Sequence, residues 1–230
     1  SFIAIIGAGP LGGSIAHKAA SRDRIGEIRL IDEAESIARG KALDILQAAP
    51  LEGFHARVNS ASDPGAAAGA AAIILADTAE GSAEHAGEPG LALLRSLARV
   101  EHRTPVLFAG AGQRELIVRA AGELRIDPAR LIGTAPFALE SALRSLAGLA
   151  LDATGVEVSL RVVGIPPRDA VVAWEAASAF GQPLSAHLAP HEIAALSARI
   201  PGLWPPGPYA LASAAVRVYG SRSISPAGPL

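Results

Sequence analysis

The sequence predicts an α/β protein: a parallel sheet with helices on both faces, followed by a smaller mixed α/β second domain. Three observations carry this. Short β-branched runs alternate with longer Ala/Leu-rich ones, the pattern of parallel strands joined by crossover helices. A glycine-rich turn, Gly7 to Gly12, joins the first such run to the first helical one. After Gly133 the pattern changes to alternating and proline-rich segments. The boundary therefore divides the chain into 1–133 and 134–230, and 230 residues suffice for a sizeable core.

Taken in order, 2–6 reads as a strand, 11–21 as a helix, 27–31 as a second strand and 38–48 as a second helix. Segments 72–76 and 106–109 are apolar without alternation, as strands covered on both faces are. Helices are expected over 92–101 and 114–124, and 127–132 leads toward a further short strand. In the second domain, 139–151 has the apolar spacing of an amphipathic helix and 156–163 alternates like a strand. Segment 170–179 is alanine-rich and expected to be helical. Segment 200–208 carries four prolines and must be a loop, and 210–218 returns to helix.

Composition excludes several function classes. Half the residues are hydrophobic, 18% are charged and the net charge is −2. Lysine and arginine are scattered, so neither a nucleic-acid nor a membrane partner is expected. Segment 2–6 is too short for a signal-peptide core and 64–76 too short to span a bilayer, which makes a cytoplasmic location the expectation. The absence of cysteine removes disulfides, thiol nucleophiles and thiolate metal ligands. His187 and His191 are four apart, but Pro190 lies between them, so no metal site is expected.

The chemistry-bearing motif is Gly7-Ala8-Gly9-Pro10-Leu11-Gly12, between a strand and a helix. In a dinucleotide-binding loop of the Rossmann type, the first glycine permits the tight turn. The second admits a pyrophosphate to the backbone, and the third lets helix and strand pack closely. The helix start, with Pro10 and Leu11, then offers N–H groups and the positive dipole end to the anion. Asp32 ends the second strand 20 residues after Gly12. An acid there accepts from adenosine ribose hydroxyls and repels a 2′-phosphate, which selects NAD over NADP.

Beyond Asp32, the run Gly40-Lys41-Ala42-Leu43-Asp44 resembles the second helix of the lactate/malate dehydrogenase family. Fainter resemblance continues at Asp127-Pro128, at Leu131-Ile132-Gly133, at Leu139-Glu140-Ser141-Ala142, over 158–169 and over 206–214. The resemblance implies an NAD-binding Rossmann domain over 1–133, a shortened substrate-type domain over 134–230, NAD(H) as cofactor and a homo-oligomer.

The family moves hydride between nicotinamide and the C2 of a small 2-hydroxy or 2-oxo acid. That reaction needs a histidine for the proton and arginines for the substrate carboxylate. Here the family's histidine position falls on Pro166, and its paired acid on Glu140. Its substrate arginine falls on Leu143, one position before Arg144. Segment 76–94, the counterpart of the family's arginine-bearing loop, is shorter and contains neither Arg nor Lys. The Asn-Pro after the next strand becomes Gly112-Gln113.

The only replacement candidates for catalysis are Glu140, Arg144, Arg168 and His85. Three readings follow: an NAD(H)-binding pseudoenzyme weak or inactive on 2-hydroxy acids, an active NAD-dependent oxidoreductase on an altered small-molecule substrate, and a non-catalytic structural or interaction subunit.

Overall fold

The structure is a computed structural model and describes residues 1–223. Its elements are β1 (Phe2–Ile6), α1 (Pro10–Ser21), β2 (Glu27–Ile31), α2 (Glu35–Glu52), β3 (Arg57–Ala61), β4 (Ala72–Leu75), α3 (Gly87–Val100), β5 (Val106–Phe108), α4 (Arg114–Glu123), β6 (Leu131–Gly133) and α5 (Ala135–Ala150). There follow β7 (Val158–Ser159), β8 (Val162–Ile165), β9 (Asp169–Val172), β10 (Ser178–Ala179), β11 (Gln182–Pro183), α6 (Pro190–Ala198) and α7 (Pro208–Ser223). The described residues divide into two compact units, one of Ala135–Ala210 and one in which the segment from Leu211 joins Ser1–Thr134.

The first unit is a six-stranded sheet in the order β3-β2-β1-β4-β5-β6, parallel throughout. This is the Rossmann arrangement the sequence predicts. Strands β1, β4 and β5 lie inside the sheet between helix layers, so both faces must be apolar. Ile3, Ile5, Ile73, Ile74, Leu75, Leu107 and Phe108 are all fully buried. Strand order reverses between β1 and β4, and a crevice opens there beyond the carboxyl ends of the strands.

Strand β3, absent from the sequence reading, is an edge strand. Its residues Arg57, Asn59 and Ser60 are polar or exposed, and only Val58 is buried, so its apolar signal is weak. Helix α2 runs four residues past the expected 48, carries Pro50 in its last turn, and stops at Gly53 with φ +77°.

The second unit packs Leu139, Leu143 and Ala147 of α5 against Val158, Leu160, Val172 and Leu184. Two expectations are corrected here. Segment 156–163 is not one strand: β7 pairs with β10, whereas β8 pairs with β9. The chain changes sheets at Leu160-Arg161, and the Val162 N–H turns to the Glu140 carboxylate at 3.3 Å. Segment 170–179 is not a helix but β9, a short 3₁₀ turn and β10. Val171 and Val172 pair directly with Val163 and Val162, and this cross-strand packing overrides the helical preference of the neighbouring alanines. The proline-rich 200–208 holds a 3₁₀ turn, Ile200–Leu203.

Candidate functional site: the crevice at the strand-order reversal

The glycine loop takes the shape its spacing requires. Gly7 leaves β1 with φ +104°, a conformation that a side chain disfavours, and its N–H donates to the Ile31 carbonyl at 2.7 Å. A Cβ on Gly12 would stand 2.0 Å from the Gly7 carbonyl oxygen, so the third glycine sets the close approach of α1 to β1. Pro10 occupies the first turn of α1, where its missing N–H costs nothing. Gly7, Gly9, Pro10, Leu11, Gly12 and Asp32 thus lie together at one end of the sheet, where the Ala8 N–H donates to Asp32.

Gly9 is different. A Cβ there would lie 2.3 Å from Cγ of Asp77, a residue the sequence reading overlooked. Asp77 follows β4, is only 6% exposed, and lays its carboxylate across the start of α1. Leu11 donates its N–H to Oδ2 at 3.1 Å and Gly12 to Oδ1 at 2.9 Å. The Gly9 N–H donates to the Asp77 carbonyl at 2.9 Å. The room and the N–H donors that glycine spacing reserves for a pyrophosphate hold a carboxylate of the chain itself.

A second acid repeats the motif. Glu84, opposite Asp77 in an isolated antiparallel bridge, accepts from the N–H groups of Ala111 at 2.8 Å and Gly112 at 2.7 Å, just before α4. Its carboxylate fills the space beside Gly110, where a Cβ would be 2.3 Å away. Between these anchors the Thr78 N–H donates to the Ala83 carbonyl at 2.8 Å, closing a tight turn. The β4–α3 connection is therefore a strap pinned at both ends by acids on backbone N–H groups.

Asp32 supplies a third pin. Its Oδ2 accepts from Ala8 and Ala79, each at 2.8 Å, and its Oδ1 accepts from Ala34 at 2.9 Å. The strap residue Ala79 is thus tied to the end of β2. A carboxylate offers about four acceptor positions, so one remains on Asp32 for a ligand hydroxyl.

Beneath the strap lies a cavity of about 350 Å³. Ile6, Ile31, Pro64, Pro89 and Leu93 make its apolar walls, and Asp32, Glu33, Glu80 and His85 its polar ones; no lysine or arginine lines it. The Nε2 atom of His85 is buried with no hydrogen-bond partner. Burial holds the His85 imidazole below its ordinary pKa of 6.5, against the opposing pull of Asp32, the Ile6 backbone, Asp77 and Glu33. Gln113 is buried too: its Oε1 accepts from the Gly110 N–H at 2.9 Å, while its Nε2 has no partner.

The other catalytic candidates lie in the second unit and serve its fold. Arg144 donates through Nε to the Val158 carbonyl at 2.6 Å and through Nη2 to the Val156 carbonyl at 3.4 Å, tying α5 to β7. Glu140 holds the start of β8. Arg168 is exposed in the β8–β9 turn, beside Pro166 and Pro167. Among the described residues no group of three His, Cys, Asp or Glu could hold a metal ion, and no helix is long and apolar enough to cross a membrane.

No family model matches this sequence. Solved structures do. A malate dehydrogenase from Salinibacter ruber superposes with a TM-score of 0.85 at 20% identity, over 96% of this chain and 75% of that one. The chain has the fold of the malate and lactate dehydrogenases. A Cryptosporidium parvum lactate dehydrogenase, complexed with lactic acid and nicotinamide adenine dinucleotide, gives 0.82 at 22% identity over 94% and 75%. A Plasmodium falciparum malate dehydrogenase in complex with NADH gives 0.84 at 17% identity over 96% and 76%. While Asp77 is seated, the N–H groups of Leu11 and Gly12 and the space over Gly9 do not fit a pyrophosphate.

Proposed function

We propose that this protein is a malate/lactate dehydrogenase-like relative whose ligand is NAD(H) and which does not transfer hydride. One observation carries the second half of this reading. Where the resembled enzymes carry substrate-clamping arginines, the β4–α3 strap and the first turn of α3 carry Asp77, Glu80, Glu84 and Glu88 and neither Arg nor Lys. A dicarboxylate or 2-oxo acid needs cationic donors, and these acids repel it. Pro166 cannot exchange a proton, and Glu140 and Arg144 are committed to backbone partners in their own unit.

The dehydrogenase fold, the glycine loop and Asp32 with one acceptor position free support NAD(H) as ligand. Residues Gly7, Gly9, Pro10, Leu11, Gly12 and Asp32 would lie along it. A homo-oligomeric cytoplasmic protein without nucleic-acid or membrane partners accords with the net charge of −2 and the family resemblance. A second reading, a non-catalytic subunit that keeps the fold for its interfaces, draws on the seated Asp77. Titration of the purified protein with NADH, followed by nicotinamide fluorescence with NADPH in parallel, tests the ligand. Saturable binding that prefers NADH supports the first reading, and no binding of either up to millimolar concentrations moves the function to protein partners.

A further inference from the structure

We infer that Asp77 determines how the crevice holds NAD(H): seated on α1, it leaves the adenine nucleoside to be bound beneath the strap and denies the phosphates that follow any backbone donor. This rests on the NAD(H) reading for the nucleoside but on geometry alone for the refusal. The Asp77 carboxylate already uses the Leu11 and Gly12 N–H groups and the space over Gly9, so an anion can bind only by displacing it. The displaced carboxylate would leave a nearly fully buried position in which its charge meets both N–H donors and the positive end of α1.

The cavity under the strap remains open while Asp77 is seated, because the strap is held from three sides. Asp77 lies on α1, Glu84 on the Ala111-Gly112 turn, and Asp32 holds Ala79. That cavity, of about 350 Å³, has apolar walls for a base and one unused Asp32 acceptor position for a hydroxyl. Asp32, Glu33 and Glu80 with no facing cation make it hostile to anions and indifferent to a neutral nucleoside. Asp77 therefore acts as an intramolecular phosphate mimic, and removing it lets the pyrophosphate add to the affinity that the nucleoside alone supplies.

The test compares adenosine, ADP-ribose, NADH and inorganic pyrophosphate on the wild-type protein, Asp77→Asn and Asp77→Ala by calorimetry. In the wild-type protein, adenosine and ADP-ribose should bind with affinities within about threefold, because the phosphates find no donors. In Asp77→Ala, ADP-ribose and NADH should gain at least about tenfold, equivalent to about 1.4 kcal/mol, while adenosine stays unchanged. Asp77→Asn, nearly the same size and less prone to unfold, should gain in the same order but less. Wild-type protein that already prefers ADP-ribose over adenosine by tenfold or more overturns the inference, as do variants that gain nothing for any phosphate. If Asp77→Ala gains pyrophosphate binding yet no variant binds adenosine or NADH, the refusal by Asp77 stands and the NAD(H) reading falls. Amide NMR shifts of Leu11 and Gly12 should move in Asp77→Asn without ligand, and unmoved shifts would contradict the seated carboxylate.

Discussion

Asp77 fills the space that a side chain at Gly9 would need, with its Cγ 2.3 Å from the Cβ position. The second glycine of the loop is thus required by the chain's own carboxylate, whether or not a nucleotide ever enters. Gly7 and Gly12 face backbone instead: Asp77 carbonyl oxygen at 2.3 Å and Gly7 carbonyl oxygen at 2.0 Å. A side chain can move aside, but backbone atoms of a central strand or its helix cannot.

Gly9→Ala should therefore destabilise the protein by about 1–3 kcal/mol through overpacking, and Asp77→Ala in the same chain should recover much of that loss. Gly12→Ala should cost as much or more and should not be recovered by Asp77→Ala. Denaturant unfolding of the four variants checks this; equal recovery at both glycines would contradict the contact.

Asp32→Ala should lower stability without any nucleotide present, by about 1–3 kcal/mol, because the N–H groups of Ala8, Ala34 and Ala79 lose their acceptor together. An Asp32 that served only a ribose would leave the stability of the free protein unchanged.

His85 gives stability a pH dependence of known sign. Its folded pKa is depressed by burial, so the unfolded chain takes up a proton at higher pH than the folded one. Its contribution is whole above about 6.5 and is lost as pH falls through that value toward the lower folded pKa, with a limiting slope of about 1.4 kcal/mol per pH unit. Melting midpoints measured between neutral pH and pH about 5 should fall more steeply for the wild-type protein than for His85→Leu. Parallel curves would show that burial does not govern this imidazole.

Arg144→Met should weaken the second unit by about 1.5–3 kcal/mol, since a charged donor to the Val158 carbonyl is lost. It should leave NADH affinity unchanged. A change in affinity with stability unaltered would show that Arg144 reaches the ligand after all.

The sheet was legible because its strands advertise themselves. Phe2-Ile-Ala-Ile-Ile6 and Ala72-Ile-Ile-Leu75 can only be strands covered on both faces, and Gly7 to Gly12 can only follow one of them. The edge strand Arg57–Ala61 was hidden by its polarity, and the β8–β9 hairpin by alanines whose local preference is helical. The six residues chosen for the cradle do come together. What the residue pattern concealed is occupancy: spacing reports that glycine leaves room, not what fills it. A signal was nonetheless present, since Asp77 lies two residues past a fully buried strand at the point where strand order reverses. Four acids and neither Arg nor Lys follow β4 before Leu94.

Pro166→His should not restore turnover of malate or lactate, because the histidine would return without any arginine to hold a carboxylate. Appreciable dehydrogenase activity in that variant, measured as NADH formation, would mean that the substrate clamps survive elsewhere.

On this reading the fold has kept a nucleotide crevice and lost hydride transfer. The most direct measurement loads Asp77→Ala, the variant with the cradle cleared, with NADH and mixes it with saturating oxaloacetate or pyruvate. Nicotinamide absorbance is then followed through a single turnover. With hydride transfer lost, the absorbance of the bound NADH does not decay with either acid. Decay of the bound NADH at a rate above that of free NADH would show that the hydride chemistry is intact.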